Sequence, residues 1–313
     1  MEMVDISVII PICEPPGDLE KLYSLYSQEI RKSGKSWEFV FIIDGGFEEV
    51  YDALRELKKN DHDDIKIIKF SKAFGESTAL MVGFEKSRGK ILLTLLPYME
   101  VEPAEVHKVL QELGMGADLV VTNRYPRIDS LFNRFQSLVF NWLVSKLTDQ
   151  EFHDISCGLR GMERKVAEEI SIYGDLHHFI PVIASREGFK TREINVRQSE
   201  ENVNLRLHRP GRYLSRILDL FNLFFLVKFT KRPFRFFGLI GSALLGLGSL
   251  ITLYLGLMRI FAQAALAGRP LLILGILLMV FGIQTLSIGL IGEIIIFIHA
   301  RDIKDYKIES ILE

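Results

Sequence analysis

A chain of 313 residues with 38 Lys and Arg against 40 Asp and Glu carries a formal net charge of −2, which argues against nucleic acid as a partner. Its two cysteines, Cys13 and Cys157, are too few for a disulfide framework, fit a reducing compartment, and make no metal site by themselves. The average hides an asymmetry: residues 1–205 mix charged and apolar positions, 206–235 are basic and aromatic, and most of the remainder is lipid-like.

Residues 1–5 carry acids rather than a basic start, and the apolar run 6–12 is short, so no secretory signal is expected. Apolar, β-rich runs at 6–12, 38–43, 65–70, 91–96 and 118–122 read as buried strands, with amphipathic helices at 19–32, 48–59, 76–87 and 104–113 between them. This alternation predicts an α/β fold with a mostly parallel sheet and helices on both faces. Ligands of such sheets bind beyond the carboxyl ends of the strands, so the informative residues should follow Ile12, Ile43, Phe70 and Leu96. A helix at 130–147, a polar connection to Cys157-Gly158-Leu159-Arg160, and a late strand at 190–196 complete a first domain, 1–205, large enough to bury its own core.

The block 206–235 follows. Between 212 and 229, apolar residues at Leu214, Ile217, Leu218, Phe221, Phe224, Phe225 and Phe229 suit a helix lying in the headgroup plane. Arg212, Arg216 and Lys228 would then face lipid phosphates. A core helix would show the same spacing; the position directly before a membrane span favours the interfacial reading. The apolar runs 236–258 and 271–298 both exceed the roughly 20 residues needed to cross a bilayer and predict a transmembrane hairpin within 236–300, with a tail at 301–313. Lys228, Lys231, Arg232 and Arg235 precede it and Arg301, Lys304 and Lys307 follow, so both chain ends and the first domain are expected in the cytoplasm, at the inner membrane if the source is bacterial. Gly238, Gly241, Gly246, Gly248 and Gln284 hint at helix–helix contact, within the hairpin or in a homo-oligomer. Glu293 would snorkel or pair with a neighbouring protomer.

A series of short motifs carries a family resemblance. They are Ser7-Val8-Ile9-Ile10-Pro11, Phe41-Ile42-Ile43-Asp44-Gly45, Lys72-Ala73-Phe74-Gly75, Gly89-Lys90-Ile91-Leu92-Leu93-Thr94, Gly116-Ala117-Asp118 running on to Asn123-Arg124-Tyr125, Asp154-Ile155-Ser156-Cys157-Gly158-Leu159-Arg160, and Arg209-Pro210-Gly211-Arg212-Tyr213. In this order, and ending in a hairpin, the chain resembles a membrane-attached family 2 glycosyltransferase of the polyprenyl-phosphate type, the group of dolichyl-phosphate mannose synthases and bactoprenol glucosyltransferases. The resemblance implies a GT-A (Rossmann-like) fold, a nucleotide sugar over the strand ends, usually Mg²⁺ or Mn²⁺, and a polyprenyl phosphate whose oxygen attacks the anomeric carbon with inversion. That phosphate is already anionic near neutral pH. The site therefore needs cations to gather two phosphate-bearing partners more than it needs a strong base.

Carried over residue by residue, Arg124 and Arg134 would contact acceptor phosphate or donor diphosphate, with salt bridging as the alternative for each. Asp154 would face the sugar or the attacking oxygen, with Arg160 beside it, unless Asp154 and Arg160 simply pair. Arg209 and Arg212 would meet the lipid phosphate, and Pro11, Asp44 and Gly75 the nucleotide.

The pattern also breaks. One acid, Asp44, stands where the family has two, Cys13-Glu14-Pro15 replaces Tyr-Asn-Glu, and Leu96-Pro97-Tyr98 replaces the metal-binding Asp-x-Asp. Mg²⁺ prefers carboxylates, phosphate and water, none of which these three side chains supply. Glu100 and Glu102 have the spacing to substitute. The simpler reading has Pro103 open a helix with Glu102 and Glu105 at its positive end, since a strand would have to slip to bring the acids into register. His107 and the His177-His178 pair lack the spacing of metal ligands. Two functions follow: a transferase with an atypical donor site, either metal-independent or built for a donor other than the usual nucleotide sugar, or an inactive relative that binds polyprenyl phosphate or a partner enzyme as a scaffold. Arg124, Asp154 and Arg160 favour the first, because a scaffold needs no phosphate-facing cations.

Overall fold

The run VDISVIIPI forms β1 (Val4–Ile12), buried continuously from Ile6, as suits a central strand covered on both faces. The computed structural model describes residues 3–59, 64–126, 152–170, 172, 176–200, 233–262 and 270–299. The expected helices at 130–147 and 212–229 and the tail 301–313 lie outside the described residues. The chain divides into two units, Met1–Leu220 and Phe221–Glu313.

In the first unit β1 is joined by β2 (Trp37–Ile43), β3 (Ile65–Lys69), β4 (Gly89–Thr94), β5 (Leu119–Arg124), β6 (Arg160–Glu163) and β7 (Thr191–Val196), in the order β3-β2-β1-β4-β6-β5-β7. Strand β6 runs antiparallel to β4 and β5, and the other pairings are parallel. Ile6, Val8, Ile10, Phe39 and Phe41 pack with Leu22 and Tyr26 of α1 (Leu19–Arg31), Leu54 of α2 (Glu48–Lys59) and Val109 of α4 (Val106–Gly114). The alternate residues of β1 and β2 face α3 (Glu76–Lys86). There a Cβ on Gly83 would lie 2.5 Å from Ile9 Cγ2, so only glycine lets this helix approach. Helices cover both faces, as the alternation predicts. Strand β6 and the short helices α5 (Arg164–Glu169) and α6 (Ile180–Arg186) were not anticipated. Gly161 in β6 is required sterically, since a Cβ would meet Val109 Cγ1 at 2.3 Å.

A buried carboxylate ties the amino ends of three strands. Glu38 accepts from Ser7 Oγ (2.6 Å) and Arg88 Nε (2.9 Å), and Ser7 Oγ accepts the Gly89 N–H at 2.7 Å. Burial alone would raise the Glu38 pKa; the bonds from Ser7 and Arg88 outweigh it and hold the carboxyl below its ordinary 4.5. Such a group stabilises the fold above its unfolded pKa, and the benefit fades as pH falls through the depressed folded value. Glu38→Gln is therefore expected to lose about 1.5–3 kcal/mol at neutral pH. In urea titrations the gap to wild type should close under acid; a gap that widens there would contradict this reading.

The second unit pairs α7 (Pro233–Ala262) with α8 (Pro270–His299), each extending a little beyond the spans 236–258 and 271–298. Both are long and apolar enough to cross a bilayer, with mean hydropathies of 2.0 and 2.4. They run antiparallel, glycine against glycine: a Cβ on Gly241 would lie 2.9 Å from the Gly282 oxygen, and one on Gly248 2.6 Å from the Gly275 oxygen. These glycines serve the hairpin itself, whereas Gly246 faces open space. Glu293 accepts the Phe234 N–H at 3.3 Å, which places its carboxylate at the unpaired donors and positive end of α7. Glu293 thus has a partner inside the hairpin. Gly282→Val should cost about 1–3 kcal/mol by overpacking, while Gly246→Val stays within about 1 kcal/mol. Thermal unfolding in detergent would separate them, and equal losses would refute the assignment.

Candidate functional site

The carboxyl ends of β1, β2, β4 and β5 carry two polar clusters. The first lies beyond β1 and β2. Asp44 Oδ1 accepts the Phe74 N–H at 2.6 Å and Oδ2 the Gly75 N–H at 2.9 Å, which fixes the entry to α3. Gly75 has φ +92°, a conformation that glycine adopts without the Cβ penalty. Pro11 is buried and in register with Ile42, one residue from the strand end. Asp44 and Gly75 are thus joined directly, with Pro11 on the neighbouring strand β1. Cys13 lies beside them; burial and then the Glu76 and Asp44 carboxylates push its thiol pKa up. Glu76 Oε2 is 3.2 Å from His177 Nε2, and His177 Nδ1 is 3.3 Å from Ser77 Oγ.

The second cluster lies beyond β4 and β5 and is built around the arginines. Arg124 is 0% exposed. Its Nε and Nη2 donate to Asp154 at 2.6 and 2.9 Å, its Nη1 to Glu100 at 2.9 Å, and its Nη2 also to Ser156 Oγ at 3.0 Å. Burial works against its charge, but Glu100 and Asp154 outweigh that and push its pKa above the ordinary arginine value. Arg160 is likewise buried, donating to the carbonyls of His177 and Ile155 at 2.8 Å each, and burial lowers its pKa. Both guanidinium groups are thus bonded to protein and shape the loop around Asp154. Asp154 is itself fully buried and pairs with Arg124. Arg134, Arg209 and Arg212 lie outside the described residues.

Glu100 is the residue that sequence reasoning undervalued. Buried, it accepts Arg124 Nη1 on Oε1 and the Gly158 N–H on Oε2 at 2.7 Å. Its flanking Met99 and Val101, both apolar, were the signal that the segment returns to the core. Glu102 is exposed and precedes the 3₁₀ turn Pro103–Glu105, as the simpler reading had it. His107 pairs with Glu29 at 3.2 Å. Cys157 is a core filler whose thiol is pushed up to about 12, by burial first and by Glu100 next.

These residues do not fit a divalent cation. Leu96 packs where a Cβ on Gly158 would meet its Cγ at 2.3 Å, the Pro97 carbonyl accepts the Gly17 N–H at 2.8 Å, and both Glu100 oxygens hold donors. Among the described residues no three His, Cys, Asp or Glu side chains are grouped to bind a metal.

Comparison with known proteins gives the same fold and places the family. The undecaprenyl-phosphate 4-deoxy-4-formamido-L-arabinose transferase of Pseudomonas paraeruginosa is 30% identical over 92% of this chain and 84% of its own. The dodecaprenyl-phosphate galacturonate synthase of Rhizobium johnstonii is 26% identical over 96% and 90%. Glucosyl-3-phosphoglycerate synthase from Mycobacterium tuberculosis, in complex with Mn²⁺, UDP-glucose and phosphoglyceric acid, matches with a TM-score of 0.51 at 15% identity, over 67% of this chain and 74% of that one. Its complex with phosphoglyceric acid matches at 0.52 and 14% identity, over 71% and 79%. At such identity the likeness bears on fold alone, and the fold is the GT-A type. The profile of glycosyl transferase family 2 matches residues 7–171, more than half of the sequence, and to that family the chain belongs.

Proposed function

We propose that the chain transfers a sugar from a nucleotide sugar to a polyprenyl phosphate at a membrane surface. One observation carries the reading: relatives whose names state undecaprenyl or dodecaprenyl phosphate align with 92–96% of the chain. In the transfer, an acceptor phosphate oxygen bonds to the anomeric carbon as the bond from that carbon to the diphosphate breaks, and the nucleoside diphosphate leaves. No proton need be removed from an anionic acceptor. The cluster at Pro11, Asp44 and Gly75 would receive the nucleotide. Arg134, Arg209 and Arg212 would meet the lipid phosphate, while Arg124, Asp154 and Arg160 keep the floor in shape. The basic flanks of the hairpin support a cytoplasmic orientation.

A second reading, a binding relative without turnover, is favoured by Leu96-Pro97-Tyr98 at the metal position. Purified full-length protein with polyprenyl phosphate and a panel of radiolabelled nucleotide sugars decides between them. Transfer predicts label in the lipid phase. Lipid binding without label would establish the second reading, and no binding of either substrate would remove both.

A further inference from the structure

The loop Asp154–Leu159 is pinned at every residue, and Glu100 is the pin that comes from the segment after β4. Arg124 holds Asp154 and Ser156, Arg160 holds the Ile155 carbonyl, and Thr122 Oγ1 contacts Cys157 Sγ at 2.9 Å and the Leu159 carbonyl at 2.6 Å. Thr94 Oγ1 donates to the Gly158 carbonyl at 2.8 Å, and Glu100 takes the Gly158 N–H. The loop leads into β6, which starts opposite Thr94 at the carboxyl end of β4, where ligands of such sheets bind. Ser156 and Gly158 are the positions from 154 to 159 that stay part-exposed there. The Glu100 backbone is itself locked: its carbonyl accepts the Ser199 N–H at 3.0 Å, and Val101 bridges Gln198.

We infer that Glu100 is a positioning residue of the transfer site, setting the loop Asp154–Leu159 through Arg124 and the Gly158 N–H. Its kinetic consequence rests on the proposed transfer activity. The argument is one of donors and acceptors. Arg124 Nη1 donates to Oε1, while the Gly158 N–H and, at 3.7 Å, the Cys157 thiol donate to Oε2, so both oxygens must accept, and a carboxylate supplies two acceptors. An amide of the same shape offers one acceptor and one donor, so Glu100→Gln turns an N–H toward either Arg124 or Gly158. Glu100→Asp keeps both acceptors on a stem one methylene shorter.

Hydrogen exchange read by mass spectrometry on the full-length protein in detergent tests this directly, with kcat and KM as a second arm. Glu100→Gln should raise exchange in peptides covering 154–160 about tenfold while β1 and β2 keep wild-type protection. Glu100→Asp should fall between the two. Labelled-sugar transfer by Glu100→Gln should lose about tenfold in kcat with the lipid KM changed less than about twofold. Wild-type exchange in the loop of Glu100→Gln would overturn the inference. So would a loss of protection spread equally over β1 and β2, which would mark a merely stabilising residue. Should wild type transfer no sugar, the proposed function fails and the exchange result still decides the role of Glu100.

Discussion

Asp154→Ala is expected to destabilise the first unit by about 3–5 kcal/mol, the usual result of stripping one partner from a buried ion pair. Arg124 is fully enclosed, and without Asp154 its Nε and one Nη2 donor lose their acceptors while Glu100 holds Nη1 alone. The penalty comes from an under-compensated buried charge more than from a lost attraction. The same physics makes a second expectation. Removing all three charges together, as Glu100→Leu with Arg124→Met and Asp154→Leu, should cost less than Asp154→Ala alone. That holds even though the Gly158 N–H loses its acceptor, about 1–3 kcal/mol. Arg124→Lys should resemble the single loss, because an ammonium cannot fork across two oxygens of Asp154 and still reach Glu100. Urea denaturation followed by circular dichroism orders the three variants. A triple variant less stable than Asp154→Ala would show that the network is worth more than its desolvation.

Much of the fold was legible because parallel strands covered on both sides are written as unbroken apolar runs. The helix at 48–59 matches α2 residue for residue. Strand β6 was not legible: RGME has no strand pattern and is a strand only because β4 and β5 flank it. The hairpin followed from length and apolarity, but separating Gly241 and Gly248, which face α8, from Gly246, which does not, needed the packing. Arg124 shows where sequence reasoning stops. A cation after β5 was visible, yet whether it meets a ligand or carboxylates 24 and 30 residues away in sequence depends on how the loops return. Glu100 was visible only as a spacing match to Glu102; a single carboxylate in sequence carries no record of the donors from Arg124 and Gly158 that converge on it.

Sugar transfer by the wild-type protein is expected to continue in excess EDTA within about twofold of its rate with Mg²⁺ or Mn²⁺. A metal that stabilises a leaving diphosphate contributes several kcal/mol, and at about 1.4 kcal/mol per tenfold its removal would slow a metal-dependent relative by roughly a thousandfold or more. The gap between twofold and a thousandfold makes the assay decisive, and a rate abolished by EDTA and restored by Mn²⁺ would sink the expectation. The structure also says how dependence could be installed. A Cβ on Gly158 would approach both Leu96 Cγ, at 2.3 Å, and Glu100 Oε2, at 3.1 Å, so those two side chains are neighbours. Leu96→Asp would therefore set a second carboxylate beside Glu100, a repulsive pair that a divalent cation would relieve. Thermal unfolding of Leu96→Asp should shift upward by a few degrees with Mn²⁺, about 1 kcal/mol or more, while wild type does not respond. An equal response in wild type would mean that other oxygens near β4 already bind the ion.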